Sequence, residues 1–122
     1  MKRKLEDLNV DQLVLRFAEI GVAQDQALLY DEYKKFKRLF NLMNEVDQEL
    51  RRRGLEARMA LLRLFNHPNM QVRLKAAKRS LGVAPEAARQ VIEEIKKSQC
   101  FPQALEAGMT LRNLDSGLFK QD

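Results

Sequence analysis

The chain has 122 residues, 22 Lys+Arg against 17 Asp+Glu, and a formal charge of +5; its mass is 14.2 kDa and its pI about 9.6. An apolar fraction of 45% excludes a wholly disordered chain, a fibre or a collagen-like repeat, and the length suits one domain over 1–122. No apolar run approaches the roughly 18 residues that a bilayer span needs, so no membrane insertion is expected. The opening MKRKLEDLNVDQ passes from bases to acids rather than into the apolar core of a secretion signal. The single cysteine, Cys100, cannot close an internal disulfide, which points to a reducing cytoplasm.

Apolar residues recur at spacings of three and four throughout, with no strand-like alternation, so the expected class is all-α with five or six helices. The first helix begins after Asn9 or Asp11, carries Leu13, Phe17 and Ile20, and is expected to stop at Gly21. Asp25 then caps a long second helix near 25–53, ended by Gly54. Its stripe is Leu29, Tyr33, Phe36, Phe40, Met43, Val46 and Leu50, widened by Leu28, Leu39 and Leu42. A helix of about seven turns would be about 40 Å long, more than short neighbours cover. Its seven-residue seam, Leu29-Phe36-Met43-Leu50, leaves a homodimer open beside the plain reading as core.

The third helix is expected from Leu55 to Phe65, with Ala57, Leu61, Leu62 and Phe65 inside, and Asn66-His67-Pro68 ends it. Asn69 caps a fourth from Met70 to Leu81, lined by the small residues Val72, Ala76, Ala77 and Ser80 and closed by Gly82. Ala84-Pro85-Glu86 opens a fifth, with Ala88, Val91, Ile92 and Ile95 inside. A short sixth over Pro102–Leu114 would bury Leu105, Met109 and Leu111 or Leu114, leaving 115–122 as a tail.

Residues 55–66 and 85–96 align, pairing Glu56 with Glu86, Ala57 with Ala87, Leu61 with Val91, Leu62 with Ile92 and Phe65 with Ile95. Such a period suggests stacked helical hairpins. The stretch HPNMQVRLKAAKRSLG, 67–82, carries Pro68, Asn69, Val72, Arg73, Ala76, Ala77, Leu81 and Gly82 in order. It resembles the turn and second helix of a HEAT repeat, and APEAARQVIEEI resembles the first helix of the next. The region 55–98 is the repeat region on this reading. The closing AGMTLRNLDSG is similar to the end of small bacterial HEAT-like proteins grouped as a domain of unknown function. The resemblance implies a HEAT-like or armadillo-like right-handed α-α superhelix and a prokaryotic origin, and it supplies no activity. Before residue 55 the chain departs from the pattern, with no Val-Arg pair and no Pro turn.

Chemistry is sparse. Zinc needs three or four Cys, His or acid ligands, and the chain has one Cys and one His. His67 reads as a turn residue and Cys100 as a half-buried thiol. The five glycines are isolated, so no phosphate loop forms. Asp31-Glu32 and Glu93-Glu94 are neighbours on helices and point apart. No enzyme activity, metal or cofactor is expected.

The charge is uneven. From Arg51 to Arg79 nine bases face one acid, Glu56, a local net of +8, which leaves the rest of the chain at −3. On a helical wheel Lys75, Lys78 and Arg79 share one polar face, and Arg73 sits beside the apolar stripe, placed to pair with an acid or with backbone carbonyls. The expected function is protein binding by a helical-repeat domain. A nucleic-acid-binding module that meets phosphates through Arg51, Arg52, Arg53, Arg58, Lys75, Lys78 and Arg79 is the alternative.

Overall fold

The computed structural model describes residues 4–117, which fold into α-helices and 3-10 segments; no strand occurs among them, and the fold is all-α. Its contacts cluster into two compact units, Met1–Ala60 and Leu61–Asp122.

In the first unit a 3-10 turn, Leu5–Asp7, precedes α1 (Val10–Leu29), α2 (Tyr33–Arg52) and the short α3 (Leu55–Met59). A capping box starts α1: the Gln12 N–H donates to Asn9 Oδ1 at 2.8 Å, and the Asn9 N–H donates to Gln12 Oε1 at 2.9 Å. The helix does not stop at Gly21. An interior glycine costs about 1 kcal/mol, and burial of Gln24 and Ala27 beyond it favours continuation. The chain breaks instead after Leu29, where Asp31 adopts a φ of 56°. Asp is among the residues that enter this left-handed region most readily. The long helix expected near 25–53 is therefore corrected: Asp25 lies inside α1, and α2 has 20 residues. Gly54 does end α2, at a φ of 110°.

α1 and α2 form a helical hairpin. Leu13, Phe17, Ile20, Gln24 and Ala27 of α1 and Leu39, Met43, Val46 and Leu50 of α2 are among its buried residues. Gln24 Nε2 donates to Met43 Sδ at 3.8 Å inside it. The expected seven-residue seam is cut by the break after Leu29, which falls at the end of α1 and is 73% exposed. On α2 the seam keeps Phe36, half-buried, and Met43 and Leu50, both buried, while Tyr33 at the start of the helix is 76% exposed.

The 55–65 segment is α3 followed by a 3-10 segment, Ala60–Asn66, rather than one α-helix. Ala60, Leu61 and Leu64 are its buried side chains, and the two leucines are three apart, as three residues per turn requires. In the second unit α4 (Met70–Arg79), α5 (Pro85–Ser98) and α6 (Gln103–Ser116) enclose Leu74, Ala77, Leu81, Ala88, Ile92, Ile95, Ala107 and Leu111. Asn69 caps α4 as expected, its Oδ1 accepting from the Val72 N–H at 3.1 Å. Arg73 Nη1 donates to the carbonyls of His67 at 2.7 Å and Pro68 at 3.2 Å, fixing the turn. α4 ends at Arg79, and Gly82 lies in the exposed turn that follows.

α6 differs from its expected form. Leu105 and Met109 are exposed, and Ala104, Ala107, Thr110 and Leu111 face inward. Small inward residues let helices approach closely, so the longer side chains fall outside. Cys100 is exposed, not half-buried. α6 also takes in Asp115 and Ser116, with Gly117 as its left-handed cap; the rest of the expected tail, 118–122, lies outside the described residues.

Candidate functional site

The first unit carries a groove of about 800 Å³ along one side of the α1–α2 hairpin. Leu5, Ile20, Ala23, Leu39, Leu42 and Val46 supply its apolar lining. Arg16, Glu19, Glu45 and Glu49 supply its charges together with Lys4 and Glu6. The Leu5–Glu6 part of the lining is held by α2: Arg53 Nη2 donates to the carbonyls of Leu5 at 3.1 Å and Glu6 at 3.2 Å. An apolar floor with a few charged groups at its edge is the usual make-up of a ligand cleft. The sequence signal for it was Leu39 and Leu42, which made the α2 stripe wider than one facing helix needs.

The arginines at the end of α2 are engaged. Arg51 Nε donates to Asp47 Oδ2 at 3.0 Å, and that carboxylate is itself buried. Arg52 pairs with Glu49, and Arg53 Nε donates to Glu49 Oε2 at 2.7 Å. Hydrogen bonds from Arg52 and then Arg53 hold the Glu49 carboxyl down at about 2, from an ordinary 4.5. Arg58 on α3 is half-buried.

In the second unit Lys75 does not lie on a solvated face. Its side chain is 9% exposed, and its Nζ donates to Glu106 Oε2 at 2.7 Å. Lys78 Nζ meets the same oxygen at 3.0 Å. Burial lowers the Lys75 ammonium below its ordinary value even against the pull of Glu106. Burial alone would raise the Glu106 carboxyl, but Lys75 and Lys78 outweigh it and the net direction is down. Beside this group Gln103 Nε2 donates to Gln71 Oε1 at 2.9 Å, also buried. Arg79 is half-buried. Arg51, Arg52, Arg53 and Arg58 thus belong to the first unit and Lys75, Lys78 and Arg79 to the second.

A third cationic cluster was not singled out from the sequence. Lys34, Lys35, Lys37 and Arg38 on α2 are all exposed, and among the described residues none of them makes an ion pair. Tyr30, Tyr33 and Phe40 are exposed beside them, with Phe36 half-buried. From Tyr33 to Asn44 α2 has four bases and no acid. The run is visible in the sequence, but the three-and-four spacing of its aromatics points to a core.

His67 lies in the turn before α4, where its Nδ1 accepts from the Asn69 N–H at 3.0 Å. Among the described residues no group of three His, Cys, Asp or Glu side chains is placed to hold a metal, and no helix is long and apolar enough to cross a membrane.

The crystal structure of the protein RPA1889 from Rhodopseudomonas palustris CGA009 is similar to this chain, with 49% sequence identity and a TM-score of 0.94. The match covers 99% of this chain and 100% of that one. No curated protein matches the sequence. A family model described as a domain of unknown function, DUF2019, matches residues 11–115. With that match over most of its length, the chain belongs to the DUF2019 family.

Proposed function

We propose that this DUF2019 protein is a non-enzymatic, HEAT-like helical domain of the cytoplasm that binds another protein. The groove on the α1–α2 hairpin carries this reading. Leu42 and the half-buried Ala23 are the apolar lining that a partner's side chains would cover, above the buried Ile20, Leu39 and Val46, and Glu19 and Glu45 stand beside them without ion pairs among the described residues. A short amphipathic segment with apolar and basic side chains suits this lining. The HEAT-like part rests on α4, where Val72, Ala76, Ala77 and Leu81 are buried and Arg73 holds the turn carbonyls.

Phosphate binding through Arg51–Arg79 suits the geometry less well. Arg51, Arg52, Arg53, Lys75 and Lys78 are already held in ion pairs by Asp47, Glu49 and Glu106, the last two each shared by two cations.

Affinity purification of the tagged protein beside its Ala23→Phe and Leu42→Glu variants tests the proposal. Ala23→Phe fills the groove, and Leu42→Glu puts a charge on its apolar lining. A protein retained by the wild type and lost from both folded variants is the expected result. Retention unchanged by either variant would remove the groove from the function.

A further inference from the structure

We infer a second binding surface on the first half of α2, fitted to single-stranded nucleic acid. At about 100° per residue, with Tyr33 at zero, Phe40 lies near −20°, Lys37 near 40°, Asn41 near 80°, Lys34 near 100° and Arg38 near 140°. Aromatic rings therefore border a contiguous strip of cations, with an exposed amide, Asn41, inside it. Two requirements of single-strand binding meet here: positive charge that follows a phosphate backbone, and ring faces on which unpaired bases stack.

The cations are available. Lys34, Lys35, Lys37 and Arg38 are exposed and make no ion pairs among the described residues, whereas five of the seven bases first suspected of meeting phosphate are held by carboxylates. Tyr33 is largely exposed, so its ring is accessible without any rearrangement of the hairpin. None of these residues lines the groove, so the surface stands apart from the protein-binding reading.

Fluorescence anisotropy with a labelled oligothymidylate of about 16 nucleotides, read over a series of salt concentrations, tests the inference. Four phosphate contacts predict a logarithmic salt slope of about −3. Lys34→Gln with Lys37→Gln should bring that slope to about −1.5. Tyr33→Ala should weaken binding about tenfold and leave the slope unchanged. These residues are exposed, so thermal melts should show all variants folded. A mixed-sequence duplex should bind more weakly than the single strand.

Equal affinity for the duplex together with an inert Tyr33→Ala would overturn the stacking argument, and with it the inference. So would binding to phosphatidylserine vesicles without binding to the oligonucleotide. Sedimentation of the free protein as a dimer that Tyr33→Ala disperses would assign the face to self-association instead.

Discussion

Lys34–Arg38 on α2 and Lys75–Arg79 on α4 are nearly the same in composition and opposite in surroundings. Each has a lysine, a second lysine two or three residues on, and an arginine after it. On α4 one carboxylate, Glu106 of α6, takes up both lysines, and Lys75 is buried in the process. On α2 no carboxylate among the described residues reaches the four cations, and aromatic rings lie beside them instead. On α4 it is an acid from another helix that removes the basic run from the pool of open cations. Local charge density does not reveal it.

The contrast is sharpest in stability. Glu106→Gln leaves the buried Lys75 ammonium without its carboxylate. Loss of one partner of a buried pair costs about 3–5 kcal/mol, and the partial exposure of Glu106 reduces this to about 2 kcal/mol here. Chemical denaturation should show that loss, while Lys34→Gln or Lys37→Gln should stay within about 0.5 kcal/mol of the wild type. A comparable loss at Lys34 would mean that the α2 cations are structural after all.

Lys75→Met should be smaller in effect and opposite in sign. It removes a desolvated cation, keeps most of the packed volume, and leaves Glu106 its contact with Lys78. The expected result is unchanged stability or a gain of up to about 1 kcal/mol in the same denaturation experiment. A gain of this kind would also be pH-dependent. Because the Lys75 value is lowered in the folded chain, the unfolded chain holds its proton to higher pH, and stability rises as pH climbs toward the ordinary 10.5. Lys75→Met should abolish that rise.

A pH-dependent effect of the opposite sense is expected at Glu49. Its folded value of about 2 lies below the ordinary 4.5, so its contribution is present above pH 4.5 and is lost as pH falls toward 2. Titration of its carboxyl resonance by nuclear magnetic resonance should give a midpoint near 2. A midpoint near 4.5 would release Arg52 and Arg53 and return them to the pool of available cations.

Local chemistry made much of this legible in advance. Asn9 and Asn69 cap helices, Gly54 ends one, Pro85 opens one, and the α5 face of Ala88, Ile92 and Ile95 is buried as its spacing required. The failures share one cause. Gly21 should have stopped a helix and Asp31 should not have, because burial on both sides of Gly21 outweighs its propensity and no glycine or proline marks the break at Asp31. Spacing and apolar size point Leu105 and Met109 inward, while the buried side is made by Ala104, Ala107, Thr110 and the expected Leu111. Tyr33 and Phe40 were placed in a core for the same reason, which concealed the aromatic–basic strip. Lys75 read as solvated because Glu106 lies 31 positions away in sequence.

The most direct test exchanges the two clusters as variables in one experiment. The salt slope of oligothymidylate affinity is compared for the wild type, for Lys34→Gln with Lys37→Gln, and for Lys78→Gln with Arg79→Gln. The α2 pair should roughly halve the slope and the α4 pair should leave it unchanged. A slope that falls with the α4 pair and not with the α2 pair, or no binding at low salt, would contradict the assignment of the binding strip to α2.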